Sequence, residues 1–145
     1  MEPTIMADET IQVQLDAYRT SSPQRWDVVA FRPPLYSVPV AIRGEDLGVW
    51  VFRVVGLPGD NISFGLDGLL INGKSPGSRP PSIKGIEYKL TTASGIPSDP
   101  HSLTYPLTLL DEQYFVLGDH PDQSNDSRLW GILEREKILG KVKNK

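Results

Sequence analysis

The sequence contains no cysteine. That excludes disulfide frameworks, thiolate zinc sites and thiol nucleophiles. Histidine is nearly as scarce: His101 and His120 are the only imidazoles. No metal or cofactor is implied. There is no excess of basic charge. The net charge is −3 and no Lys/Arg cluster forms a nucleic-acid footprint. No apolar run is long enough to span a bilayer, and the start has no signal-peptide pattern. As given, the chain is expected to carry neither an anchor nor an export signal. Internal repeats and low-complexity segments are also missing.

What is present is punctuation. Glycine and proline number 13 each and divide the 145 residues into short β-rich runs, the pattern of a mostly-β domain. In 10–18, Ile11, Val13 and Leu15 alternate with polar residues, which predicts a half-buried strand. Residues 27–31 read as a short apolar strand, and 36–42 as an edge strand because of Pro39. Residues 49–55, VWVFRVV, form the strongest strand, apolar on both faces except at Arg53. Two runs, 61–64 and 69–71, flank the glycines of a hairpin loop. Residues 75–106 are rich in Pro, Ser and Gly and read as a surface excursion or small subdomain of a single 1–145 domain, with one strand at 86–91. Residues 134–139 fit one helical turn or a strand, and 137–145 read as a solvated basic terminus.

The stretch 114–131, YFVLGDHPDQSNDSRLWG, organises the rest. It begins as a strand and breaks at Gly118-Asp119. A polar loop then runs to an apolar anchor at 129–131. So many short hydrogen-bonding side chains between apolar ends predict a loop tied down by its own side chains. It reads either as an ordered structural turn, or as a turn in which Asp126 and Arg128 pair and fix Ser124 beside a reactive group.

Several pieces resemble bacterial-type signal peptidase I. Residues 53–60, RVVGLPGD, are similar to that family's K-R-V-x-G-L-P-G-D, and the 118–131 loop to its G-D-N-x-x-x-S-x-D-S-R-x-W-G. In the same order, 25–31 resembles R-G-D-x-V-x-F, 1–5 the end of S-M-x-P-T-L, and 69–74 the hairpin after the G-D turn. The resemblance implies a signal-peptidase-like fold of antiparallel sheets around a β-barrel-like core. It implies a serine endopeptidase of signal-peptide processing at the outer face of a cytoplasmic membrane, with signal peptides or precursor proteins as partners. It also implies dyad-orienting and loop-bracing roles for Ser124, Asp126, Arg128 and Asp119. Met1, Ile5, Trp50, Val51 and Phe52 match positions that line the substrate groove. A membrane anchor would lie in a segment this chain does not include.

Two departures bear on activity. The family's nucleophilic serine stands directly before M-x-P-T, a position that precedes Met1. Its lysine base directly precedes the arginine of K-R-V, and that residue is Phe52 here. Phenylalanine cannot accept a proton, and Arg53 cannot replace the lysine because a guanidinium stays protonated. His120, Asp119 and Ser124 could be imagined as a substitute triad. The chain as given is therefore expected to be inactive. The alternatives are a peptidase with another base, a peptide-binding homologue that keeps the groove, and a partner that stabilises an active relative.

Overall fold

The computed structural model describes residues 1–37, 46–76, 88 and 103–143. Its strands are β1 (Val13–Gln14), β2 (Val28–Phe31), β3 (Trp50–Gly56), β4 (Asn61–Gly65), β5 (Gly68–Ile71), β6 (Leu107–Thr108), β7 (Gln113–Leu117), β8 (Leu133–Glu134) and β9 (Ile138–Val142). One short helix, α1 (Ser127–Trp130), follows the polar loop. Six strands form a sheet in the order β1-β9-β2-β3-β7-β8, and three form a second in the order β5-β4-β6. Every named pairing is antiparallel. The class is the expected one, mostly β. The barrel-like closure is not found: among the described residues both sheets are open.

β2 and β3 sit at the centre because apolar layers cover both faces. Val29, Phe31 and Val54 join Tyr18, Tyr114, Val116, Trp130, Leu133 and Ile138 in one core cluster. Val28, Ala30 and Val142 form a second on the opposite face, with Met1, Ile5, Ile11, Val13 and Val51 packed against it. A third, around Val55, Ile62, Phe115 and Leu117, joins the six-stranded sheet to the smaller one. Burying each of these aliphatic or aromatic side chains stabilises the fold by about 1.5–3 kcal/mol. The hairpin predicted between 61–64 and 69–71 is observed, with Phe64 opposite Leu69.

Several expectations need correction. The strand predicted over 10–18 is only β1. Ile11 and Val13 alternate as expected, but Leu15 is 70% exposed because the chain turns at Gln14, whose carbonyl accepts from Ala17 N. The basic end is not a solvated terminus. Its apolar residues form β9, inserted between β1 and β2, with Ile138, Gly140 and Val142 buried. Gly140 is required there: a Cβ would stand 2.4 Å from Gln14 O. Residues 134–139 divide, β8 ending at Glu134 and a 3-10 turn, Arg135–Lys137, leading into β9. The predicted edge strand at 36–42 begins instead as a 3-10 turn, Leu35–Ser37; its remainder lies outside the described residues. So does most of 75–106, including the strand predicted at 86–91 except Tyr88, whose carbonyl accepts from Leu69 N.

Candidate functional site

β3 carries the site, and its two faces do different things. Side chains alternate along a strand. Trp50, Phe52 and Val54 point into the cluster with Val29 and Phe31, while Val51 points to the face covered by Met1 and Ile5. Arg53 is on the latter face and is 3% exposed.

Arg53 makes a bidentate pair with Asp119, Nε to Oδ1 at 2.8 Å and Nη2 to Oδ2 at 2.6 Å. Its Nη1 donates to Trp26 O at 2.9 Å, and Nη2 also reaches Thr4 Oγ1 at 3.2 Å. Thr4 Oγ1 in turn donates to Asp119 Oδ2. A buried ion pair is tolerated only when its remaining hydrogen-bonding capacity is met, and this one is well supplied. Trp26 takes a positive φ of 76° at the place where the family pattern has glycine. Its N–H donates to Val54 O and its carbonyl accepts from Arg53, so both sides of the peptide are held.

The polar loop is braced separately. Asp126 caps α1, accepting from Arg128 N at 3.1 Å, and pairs with the same residue's Nε and Nη2 at 2.9 Å each. Its Oδ2 also accepts from Gly118 N, and Arg128 Nη2 donates to Pro121 O. Ser127 Oγ accepts from Val116 N, which ties the helix to β7. Arg128 lies over the Tyr88 ring. Burial pushes the phenols of Tyr88 and Tyr105 up from their ordinary value, so both remain neutral.

Ser124 stands at the centre of this loop, and its Oγ is buried without a hydrogen-bond partner. A Cβ built at Gly118 would be 2.1 Å from Ser124 Oγ and 3.5 Å from Phe52 Cε1. The hydroxyl and the phenyl ring therefore flank one spot, which only glycine leaves open. Phe52 packs there with Phe31 and Trp50, at ring-centroid separations of 5.7 and 6.1 Å. The surroundings are dry and aromatic. They would disfavour a charged amine and lower the pKa of a lysine at position 52.

On the other face lies a cleft of about 410 Å³. Met1, Ile5, Met6, Val49 and Val51 supply its apolar surface; Glu2, His120 and Gln123 are at its polar side. Of the five residues matched to the groove, Met1, Ile5 and Val51 line this cleft. Trp50 and Phe52 do not, because alternation turns them to the opposite face. The backbone explains why the cleft has an open edge. Val54 exchanges its hydrogen bonds with Trp26 and Asp27 on the β2 side, so Val51 and Arg53 direct theirs toward β7. β7 pairs only from Arg53 onward. Among the described residues, no strand pairs with Val51 on that side.

The imagined triad is not assembled. Asp119 is engaged with Arg53 and Thr4, and Ser124 Oγ bonds to no imidazole. His120 is exposed at the cleft, and His101 lies outside the described residues. Lys141 shares a row and a face with Phe52 through Val29. It is two strands away, about 10 Å by strand spacing, and its Nζ is held 2.6 Å from Asp27 Oδ1. Sequence reasoning missed the part played by Thr4 and placed Asp119 with the loop braces, whereas its partner is Arg53. The signal available was the threonine inside M-x-P-T, a small polar residue between apolar ones.

An all-β scaffold that sets a braced serine-bearing loop against one face of a strand, and a cleft on the other, has the layout of a peptidase-type domain. The chain matches the signal peptidase, peptidase S26, family over residues 1–145 and belongs to it. It is 29% identical over 143 residues to the probable signal peptidase I-2 of Synechocystis sp., covering 98% of this chain and 56% of that protein. It is likewise 29% identical over 146 residues to signal peptidase IB of Staphylococcus aureus, covering 98% of this chain and 70% of that one. Thus the chain spans little more than half the length of the Synechocystis relative. A crystal structure of a signal peptidase I from Enterococcus faecalis V583 superposes with a TM-score of 0.51 at 25% identity, covering 85% of this chain and 98% of that one.

Proposed function

We propose that this domain holds extended, signal-peptide-like segments of precursor proteins in the cleft beside β3 and does not cleave them by serine–lysine chemistry. The observation that carries the reading is the partnerless Ser124 hydroxyl beside Phe52. In the family a loop serine at this position orients the lysine amine. Here the hydroxyl remains, buried, and the group facing it offers only a ring edge. A buried hydroxyl without a partner costs about 1–3 kcal/mol. A site selected for its base would not keep that hydroxyl and lose the amine. The reading rests on position 52 and is independent of what precedes Met1. Binding is supported by the cleft and by the unpaired backbone of Val51, which could accept a strand from a peptide. Small apolar side chains of the bound segment would point toward Val51 and Ile5. The implied setting is the outer face of a cytoplasmic membrane, where an active relative could share the same precursors.

The test joins the family's serine segment ahead of Met1 and compares the Phe52 form with Phe52→Lys. General-base catalysis contributes about 10²–10⁴-fold, so precursor cleavage is expected only with lysine, with a basic limb in its pH profile. Cleavage by the Phe52 form at a comparable rate would overturn the inactive reading. Fluorescence anisotropy with a labelled precursor peptide tests binding by the unaltered chain.

A further inference from the structure

We infer that Thr4 is a positioning residue whose hydroxyl sets the cleft by joining its three sides. Each of its bonds reaches a different side. Thr4 Oγ1 donates to Asp119, the residue that leads into the His120–Gln123 side. It accepts from Arg53 Nη2, two residues from Val51 on β3 and on the same face. Thr4 itself lies within the turn that supplies Met1 and Ile5, closed by Thr4 N and Ile5 N donating to Met1 O at 3.0 and 3.1 Å. A hydroxyl can donate once and still accept, and here both capacities are spent on charged partners. Such hydrogen bonds are about twice as strong as neutral ones. The apolar packing of Met1 and Ile5 holds the turn against the sheet without fixing its position along β3. The hydroxyl supplies that position, because the guanidinium and carboxylate it meets are themselves locked as a bidentate pair.

The experiment is amide hydrogen exchange on the full chain, alongside peptide affinity. Thr4→Val keeps the shape and removes the hydroxyl; Thr4→Ser keeps the hydroxyl and removes the methyl. Loss of hydrogen bonds to charged groups should speed exchange at the Thr4-position and Ile5 amides by roughly tenfold or more in Thr4→Val. The Val28–Phe31 amides should be unchanged, and peptide Kd should rise. Thr4→Ser should stay within about twofold of the unaltered chain in both measurements. Exchange in Thr4→Val within that range overturns the proposal, and so does a Thr4→Ser chain as loose as the valine variant, which would assign the turn to methyl packing. If the valine variant does not fold, the serine variant alone decides. The affinity arm rests on the peptide-binding reading, whereas the exchange arm does not. An unaltered chain that binds no peptide, with the two amides still released by valine, would remove the binding reading and leave the role of Thr4 standing.

Discussion

The two faces of β3 have fared differently. On the odd-numbered face, Arg53 is buried with its charge met by Asp119 and its remaining donors met by Trp26 and Thr4. On the even-numbered face, Phe52 lies beside a serine hydroxyl that nothing satisfies. One strand thus carries a completed polar network and an abandoned one, a single residue apart. The difference teaches that binding geometry and catalytic chemistry are separable in this fold. The cleft depends on the odd residues, and a base would have to come from an even one.

The largest effect that could break this contrast is at Arg53. Arg53→Ala leaves the Asp119 carboxylate buried without its guanidinium and should destabilise the domain by about 3–5 kcal/mol, read from urea unfolding. A loss below about 1 kcal/mol would mean the odd face is no better satisfied than the even one. Next is Gly118→Ala, which puts a methyl where Ser124 Oγ already sits. Moving the loop away should cost about 1–3 kcal/mol; an unchanged urea midpoint would show the loop to be slack beside Phe52.

A smaller effect sharpens the contrast. In a Phe52→Lys background, Ser124→Ala should cost about 1 kcal/mol more than in the unaltered chain, because the hydroxyl would then have an amine to bond. A double-mutant cycle measures this coupling, and a coupling of zero would mean that Ser124 does not face position 52. Smallest of all is Ser124→Ala alone. Removing a hydroxyl that has no partner should leave stability within about 0.5 kcal/mol or raise it slightly, which thermal unfolding would show.

The legible parts of the site were the local ones. The Asp126–Arg128 pair spans two positions, and short polar residues between apolar anchors are enough to predict it. Gly118 beside Ser124 was less legible, because nothing in the sequence says how closely a loop will fold back on the strand it leaves. Arg53, Asp119 and Thr4 were each visible as motif members, but their mutual contact joins distant parts of the chain and no periodicity reports it. The division of the groove residues was readable and overlooked: period-two alternation alone separates Trp50 and Phe52 from Val51. The mostly-β class followed from the Gly/Pro spacing. β9 was hidden because Lys141 and its basic neighbours suggested a solvated end, while the alternating Ile138, Gly140 and Val142 are buried.

The Thr4–Arg53–Asp119 contact also dictates when the cleft can exist. Its members are 49, 66 and 115 positions apart. At about 5–20 residues per second of synthesis, on the order of ten seconds separates the appearance of Thr4 from that of Asp119. During that interval the Met1–Ile5 turn has neither the carboxylate to bond nor the loop to face. The β2–β3 and β4–β5 pairings need shorter closures and can form first. A nascent chain would therefore present its hairpins before its cleft, and a precursor segment nearby could not be captured by a half-made domain.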